Sequence, residues 1–121
     1  MRIGELARRT GVSERALRYY ETQGLLTPQR QPSGYRVYSA DDVPAVRRIR
    51  ILLAAGLGTA QIHAMLPCVV DDDGVLTPDC PELVDGLVQH RDRIDEAIEE
   101  LLATRANLTT IIDSSHRTGM V

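Results

Sequence analysis

One uninterrupted helical pattern runs from Pro81 to about Ser114, and its apolar residues are spaced like those of a coiled coil. Val84, Leu87, Arg91, Ile94, Ile98, Leu101, Arg105, Leu108 and Ile112 recur at alternating steps of three and four, a seam of about four heptads. At 1.5 Å per residue such a helix is roughly 50 Å long. A chain of 121 residues holds no second helix able to cover that stripe. The seam therefore predicts a homodimer joined through Leu87, Ile94, Ile98, Leu101 and Leu108. Arg91 and Arg105 interrupt it two heptads apart, and polar residues at such places fix register at some cost in stability. The alternative is a helix that folds back on the first part of its own chain.

The remaining length allows one compact domain plus this extra element. With four Tyr, no Phe and no Trp, a core must come from Leu, Ile, Val and Ala, which favours a mainly α fold over a β-sandwich. No apolar run approaches the roughly 20 residues of a membrane helix, so no membrane partner is expected. The opening MRIGELARRTG lacks the apolar segment of a secretory signal, and a cytoplasmic location is the expectation. Cys68 and Cys80 are too few to staple a secreted scaffold of this size.

Charge is unevenly spread. The chain carries −3 overall, but residues 1–50 hold ten Arg against five acidic residues, whereas residues 51–121 hold four Arg against twelve. A basic first part on an acidic second part suggests a polyanion-binding head attached to a body with another task.

Within that head, Ile3, Leu6 and Ala7 share a helical face that ends at Gly11, and Ser13 caps a second short helix carrying Ala16, Leu17 and Tyr20 up to Gly24. Two short helices across a glycine turn make a helix-turn-helix. Pro28, Pro32 and Gly34 then break helix, while Tyr35 to Tyr38 favour extended chain, predicting a two-stranded wing with Pro32-Ser33-Gly34 at its tip. Ser39 with Asp42 looks like a capping box, although Pro44 makes Asp41 an alternative cap, for a helix through Val46, Ile49 and Leu52 that ends at Gly56. Thr59 to Leu66 gives another short helix, closed by Pro67. Residues 67–80 form an acidic connector in which Asp73-Gly74 is a type I′ hairpin signal. Residues 1–66 are thus the winged head with its following helix pair, 67–80 the connector, 81–114 the dimerisation helix and 115–121 a flexible tail.

Arg8, Arg9, Arg15, Arg18, Arg30 and Arg36 lie interleaved with Tyr19, Tyr20, Tyr35 and Tyr38. Guanidinium forks grip phosphate oxygens in pairs, and tyrosine hydroxyls add single hydrogen bonds. A recognition helix beginning at Ser13 puts Ser13 and Arg15 at the end that reads the major groove. Leu17 and Tyr20 face the first helix and are assigned to the core. A two-residue Asp73-Gly74 turn pairs Cys68 with Asp79, so one bulged residue brings Cys80 opposite Cys68. That pair is a candidate redox site, with a packed pair or a structural bridge as the plainer alternatives.

The ordered run Ile3-Gly4-Glu5-Leu6-Ala7, Arg18-Tyr19-Tyr20-Glu21, Gly24-Leu25-Leu26, Arg30, Gly34-Tyr35-Arg36 and Tyr38 resembles the winged DNA-binding domain of the MerR family of bacterial transcription regulators. The resemblance covers residues 1 to about 66, and the long terminal helix resembles the family's antiparallel dimerisation helix. It implies a homodimer on a pseudo-palindromic operator of double-stranded DNA, where an effector distorts the promoter for RNA polymerase. By position it implies that Arg18, Tyr19, Arg36 and Tyr38 contact the DNA backbone. Gly58 stands where the family often has a Ser or Thr cap, a role that Thr59 could take over.

The effector is not implied. The family's metal sensors carry cysteines near the start of the dimerisation helix and beyond its end, and its redox-cluster sensor carries four close together; neither pattern is present. No metal ligand set and no cofactor are expected: His63 and His90 are read as partly exposed helix residues, and His116 as a lone weak ligand in the flexible tail. Nor does any nucleophile triad, carboxylate pair or phosphate-cradling glycine loop suggest an enzyme. A thiol-redox or metal-responsive regulator using Cys68 and Cys80 remains the alternative, and a coiled-coil adaptor that binds no DNA is the alternative of a different class.

Overall fold

The computed structural model describes residues 1–72, 75–117 and 119. The apolar face of Ile3, Leu6 and Ala7 folds as α1 (Ile3–Thr10), with Leu6 fully buried. Gly11 ends the helix at φ 73°, a left-handed conformation that glycine adopts without strain, and its N–H bonds the carbonyl of Ala7 at 2.9 Å. Arg50 closes the same end from a later helix, its guanidinium donating to the Thr10 carbonyl at 3.1 Å, where a cation meets the negative pole of the helix. Ser13 caps α2 (Glu14–Thr22) as expected, accepting the Ala16 N–H at 3.1 Å. Leu17 and Tyr20 of α2 are buried, as their spacing predicted.

The wing is a minimal antiparallel pair, β1 (Gln29–Arg30) and β2 (Arg36–Val37), in which Arg30 faces Arg36 and Gln29 faces Val37. Its tip closes through Gly34, at φ 87°, whose N–H bonds the Gln31 carbonyl at 2.8 Å. The chain start runs alongside: Met1 accepts the Tyr38 N–H at 2.7 Å, and its ammonium donates back to the Tyr38 carbonyl.

Helix α3 (Asp42–Ala54) resolves the question of its cap. Asp41 is the N-cap residue but makes no side-chain bond, while the Asp42 carboxylate accepts the Ser39 N–H at 2.8 Å. Pro44 is harmless in the first turn, where backbone N–H groups have no partner within the helix. Gly56, at φ 79°, turns the chain into α4 (Thr59–Met65). Gly58 occupies the cap position of α4 and Thr59 does not replace it. The Gln61 side chain accepts the Gly58 N–H at 2.9 Å, and Thr59 instead donates to Gln23 at 2.9 Å. Pro67 falls within a 3-10 turn, Leu66–Cys68, that follows α4 rather than simply ending it.

Leu6, Leu17, Val46, Ile49 and Ile62 are at most 0% exposed and form the centre of one core shared by α1 to α4. Full burial of each side chain contributes on the order of 1.5–3 kcal/mol. The acidic connector is a hairpin, β3 (Val69–Asp72) with β4 (Val75–Pro78), in a register that pairs Asp72 with Val75. The Asp73-Gly74 turn itself lies outside the described residues. Along the sequence the chain divides into two units between Asp79 and Cys80. The second unit holds α5 (Pro81–Arg117), which continues three residues past the expected end at Ser114 and so takes in the first residues assigned to the tail. Ile94, Ile98, Leu101 and Leu108 on it are 43–69% exposed, and Leu87 is half-buried. Among the described residues no helix is long and apolar enough to cross a membrane.

Candidate nucleic-acid interface

The two faces of α2 have different tasks. Leu17 and Tyr20 pack inward, leaving Ser13, Arg15, Arg18 and Tyr19 exposed on the other side. The Ser13 oxygen accepts the Ala16 N–H, which leaves its hydroxyl hydrogen and a second lone pair for a ligand. Arg15 and Arg18 stand three residues apart and address the same side of the helix.

Glu21, one turn beyond Arg18, reaches across to the wing. Its Oε2 lies 3.1 Å from Arg36 Nε and its Oε1 3.8 Å from an Arg30 terminal nitrogen. The closer pair is an ion contact without the alignment of a hydrogen bond. Arg36 is 39% exposed although its Nε is buried, so the exposed part is the remainder of the side chain. On the other flank the Arg2 guanidinium lies over the Tyr35 ring, 4.2 Å from its centroid, a cation–π contact. Arg2, Arg30 and Arg36 with Ile3, Gly34 and Tyr35 line a cleft of about 370 Å³. Three guanidinium groups around one opening make a surface suited to phosphate. Arg30 was among the arginines read from the sequence as phosphate-binding and Glu21 stood in the run that resembles the family, but Arg2 was not singled out and the contact of Glu21 with the wing was not foreseen. The cross-strand pairing of Arg30 with Arg36 was the available signal, since two cations facing each other call for an anion nearby.

Tyr38 corrects the sequence reading. It was expected at the DNA backbone, but it is 1% exposed and its buried hydroxyl makes no hydrogen bond. Tyr38 follows the last residue of β2, and its backbone bonds to Met1 hold it against the chain start. Burial pushes the phenol above its usual 10.0; Glu21 and Asp42 add to the shift, while Arg36 and Arg18 oppose it. The folded chain therefore holds this proton longer than the unfolded chain does. The stabilisation is complete below about pH 10 and declines as the pH rises from there through the folded value. Tyr38→Phe is expected to remove that alkaline decline and to raise stability at neutral pH by about 1 kcal/mol, because an unpaired buried hydroxyl is lost. Denaturant unfolding of both proteins between pH 7 and pH 11 checks this, with unchanged DNA affinity as the companion result.

Cys68 and Cys80 are the two cysteines of the chain. Neither is free and both are disulfide-bonded, next to the pairing of the Asp79 N–H with the Cys68 carbonyl at 2.6 Å. Among the described residues no three His, Cys, Asp or Glu side chains gather as a metal site. His63 is exposed, and the side chain of His116 lies outside the described residues.

Residues 1–67 match the family model described as MerR HTH family regulatory protein, and residues 44–111 match the one described as MerR, DNA binding. The chain is 30% identical over 116 residues to the HTH-type transcriptional regulator HmrR of Rhizobium leguminosarum bv. viciae, covering 96% of this chain and 87% of that protein. It is 34% identical over 101 residues to the mercuric resistance operon regulatory protein of Bacillus cereus, covering 83% and 74%. Among solved structures, a MerR-family transcriptional regulator from Bacillus cereus superposes with a TM-score of 0.69 at 20% identity, covering 100% of this chain and 86% of that one. HiNmlR, a MerR family regulator lacking the sensor domain and bound to promoter DNA, superposes with a TM-score of 0.58 at 18% identity, covering 98% and 94%. At these identities the structural likeness is one of fold.

Proposed function

The chain belongs to the MerR family of transcriptional regulators, and from that premise we propose that it works as a homodimer on a pseudo-palindromic promoter site. Helix α2 enters the major groove with Ser13 and Arg15 at its reading end, and Arg18, Tyr19 and Arg36 hold the flanking phosphates. The single observation that carries this is the exposed Arg15–Arg18–Tyr19 face of α2 beside a wing that presents Arg30 and Arg36. The half-exposed stripe of Ile94, Ile98, Leu101 and Leu108 supports α5 as the dimerisation helix, since a solvated stripe of that length lacks a partner. An effector then changes the DNA distortion that RNA polymerase meets, a step read through deformability as well as contact. Membership of a DNA-binding family of transcriptional regulators favours this reading over the adaptor one.

Substitutions separate the two kinds of contact. Arg18→Ala is expected to weaken selected and random duplexes alike and to flatten the salt dependence by about one unit of slope, as losing one phosphate contact does. Arg15→Ala is expected to lower the preference for the selected duplex by about tenfold while leaving the slope nearly unchanged. Binding isotherms on both duplexes at several salt concentrations measure both. Unchanged preference after the Arg15 change removes that residue from base reading.

The disulfide favours a second reading of the signal. In it, the two thiols lose two protons and two electrons to a peroxide or a disulfide-containing partner and join as the Cys68–Cys80 bridge. A bridged pair offers no thiolate to a metal, so the metal-responsive version needs the reduced form.

A further inference from the structure

We propose that Glu21 is a positioning residue that sets DNA discrimination by locking the wing to the recognition helix at the expense of general affinity for DNA. The inference rests on the DNA interface proposed above. It begins with an electrostatic conflict inside the wing. Arg30 and Arg36 are direct cross-strand partners in a ladder whose strands are two residues each. Like charges placed opposite each other destabilise a strand pair, and a two-stranded ribbon has little stability of its own. Left to itself, this wing would splay.

Glu21 resolves the conflict from another element. Its side chain is only 18% exposed, and one carboxylate oxygen addresses each strand, at 3.1 Å for Arg36 and 3.8 Å for Arg30. Because Glu21 belongs to α2, the same contacts that quiet the wing also tie it to the helix carrying Arg15 and Arg18. The buried Tyr38 follows Arg36 and Val37 of the wing directly in the chain.

For a polyanion the carboxylate is a liability, because it lowers the positive potential where phosphates are to be held. What it contributes is geometry. With the wing fixed, phosphate contacts are made only where α2 also meets its bases, so register on the duplex is shared between the two. With the wing loose, the arginines can grip phosphates anywhere. Removing the carboxylate therefore has opposite effects on random and on selected DNA, which mere loss of structure does not.

The test uses the full chain, a duplex enriched by the wild-type protein from a random-sequence pool, and a random-sequence duplex. Glu21→Gln keeps the shape of the side chain and removes its charge. The expected result is several-fold tighter binding to the random duplex, a salt dependence steeper by about one unit of slope, and about a tenfold loss of preference for the enriched duplex. The double variant Glu21→Gln, Arg30→Gln restores the net charge without the tie, so random binding returns toward wild type while the preference stays low. Thermal unfolding accompanies each variant. If Glu21→Gln weakens both duplexes equally, or leaves the preference intact, the proposal is overturned and the pair is structural only. If Arg18→Ala and Arg36→Ala leave DNA binding untouched, the interface itself is wrong and the proposal falls with it, an outcome distinct from the first.

Discussion

Replacing Ile98 and Leu101 by lysine is expected to turn the protein into a monomer and to lower its affinity for a two-fold DNA site by on the order of 10²–10⁴, the loss that follows when two linked half-site contacts become independent. Both residues lie in the seam of α5, and they are 49% and 69% exposed in the single chain. Ile98 is the midpoint of the seam from Val84 to Ile112. In an antiparallel pair it would meet its own copy, so a lysine there sets two like charges against each other in an apolar contact. In the isolated chain the same lysines point into water and suit a helix, so the helix survives. Sedimentation and circular dichroism separate these outcomes: helix content retained, mass halved, and binding of a single half-site still measurable. A double variant that remains dimeric and binds as wild type means that the chains join elsewhere.

Opening the Cys68–Cys80 bridge is expected to cost about 3 kcal/mol of stability, the chain entropy of closing a loop of this length in the unfolded state. The bridge closes a segment that already folds back on itself, with Asp72 paired to Val75 and Val69 to Pro78. Strand pairing alone is weak in a two-stranded hairpin, so the covalent link carries much of its order. Denaturant unfolding with and without a thiol reductant measures the loss, and the Cys68→Ser, Cys80→Ser variant should match the reduced protein and ignore the reductant. DNA affinity and transcription in both redox states then decide its use. A difference between the states makes the pair a sensor, and identical behaviour leaves it a staple.

Local chemistry made much of the head legible in sequence. Gly11, Ser13 and Gly24 punctuate the first two helices through effects that act within a few residues, a left-handed turn or a hydroxyl cap, and such effects survive any tertiary context. The wing was readable for the same reason, from Pro32, Gly34 and the β-favouring run after it. The connector hairpin and its register followed from the length of its turn. What escaped was tertiary. Tyr38 has the chemistry of a phosphate ligand, yet it is buried just past the wing, where its backbone pairs with the chain start. Thr59 looks like a cap, but Gln23, far away in sequence, takes its hydroxyl and Gln61 serves the backbone instead. Glu21 stood in the run that resembles the family, but its task was not legible there, because its partners Arg30 and Arg36 come together only once the wing has folded onto α2.

The most direct test of the account counts wild-type chains on a duplex enriched from a random pool, while binding is followed as salt rises. The account requires two chains per duplex, an inverted repeat in the enriched sequences with half-sites set by the protein's own two-fold axis, and an affinity that falls by about 10³-fold or more between 50 and 200 mM salt if six or more phosphates are held. One chain per duplex on a sequence without a repeat, or an affinity indifferent to salt, would contradict it.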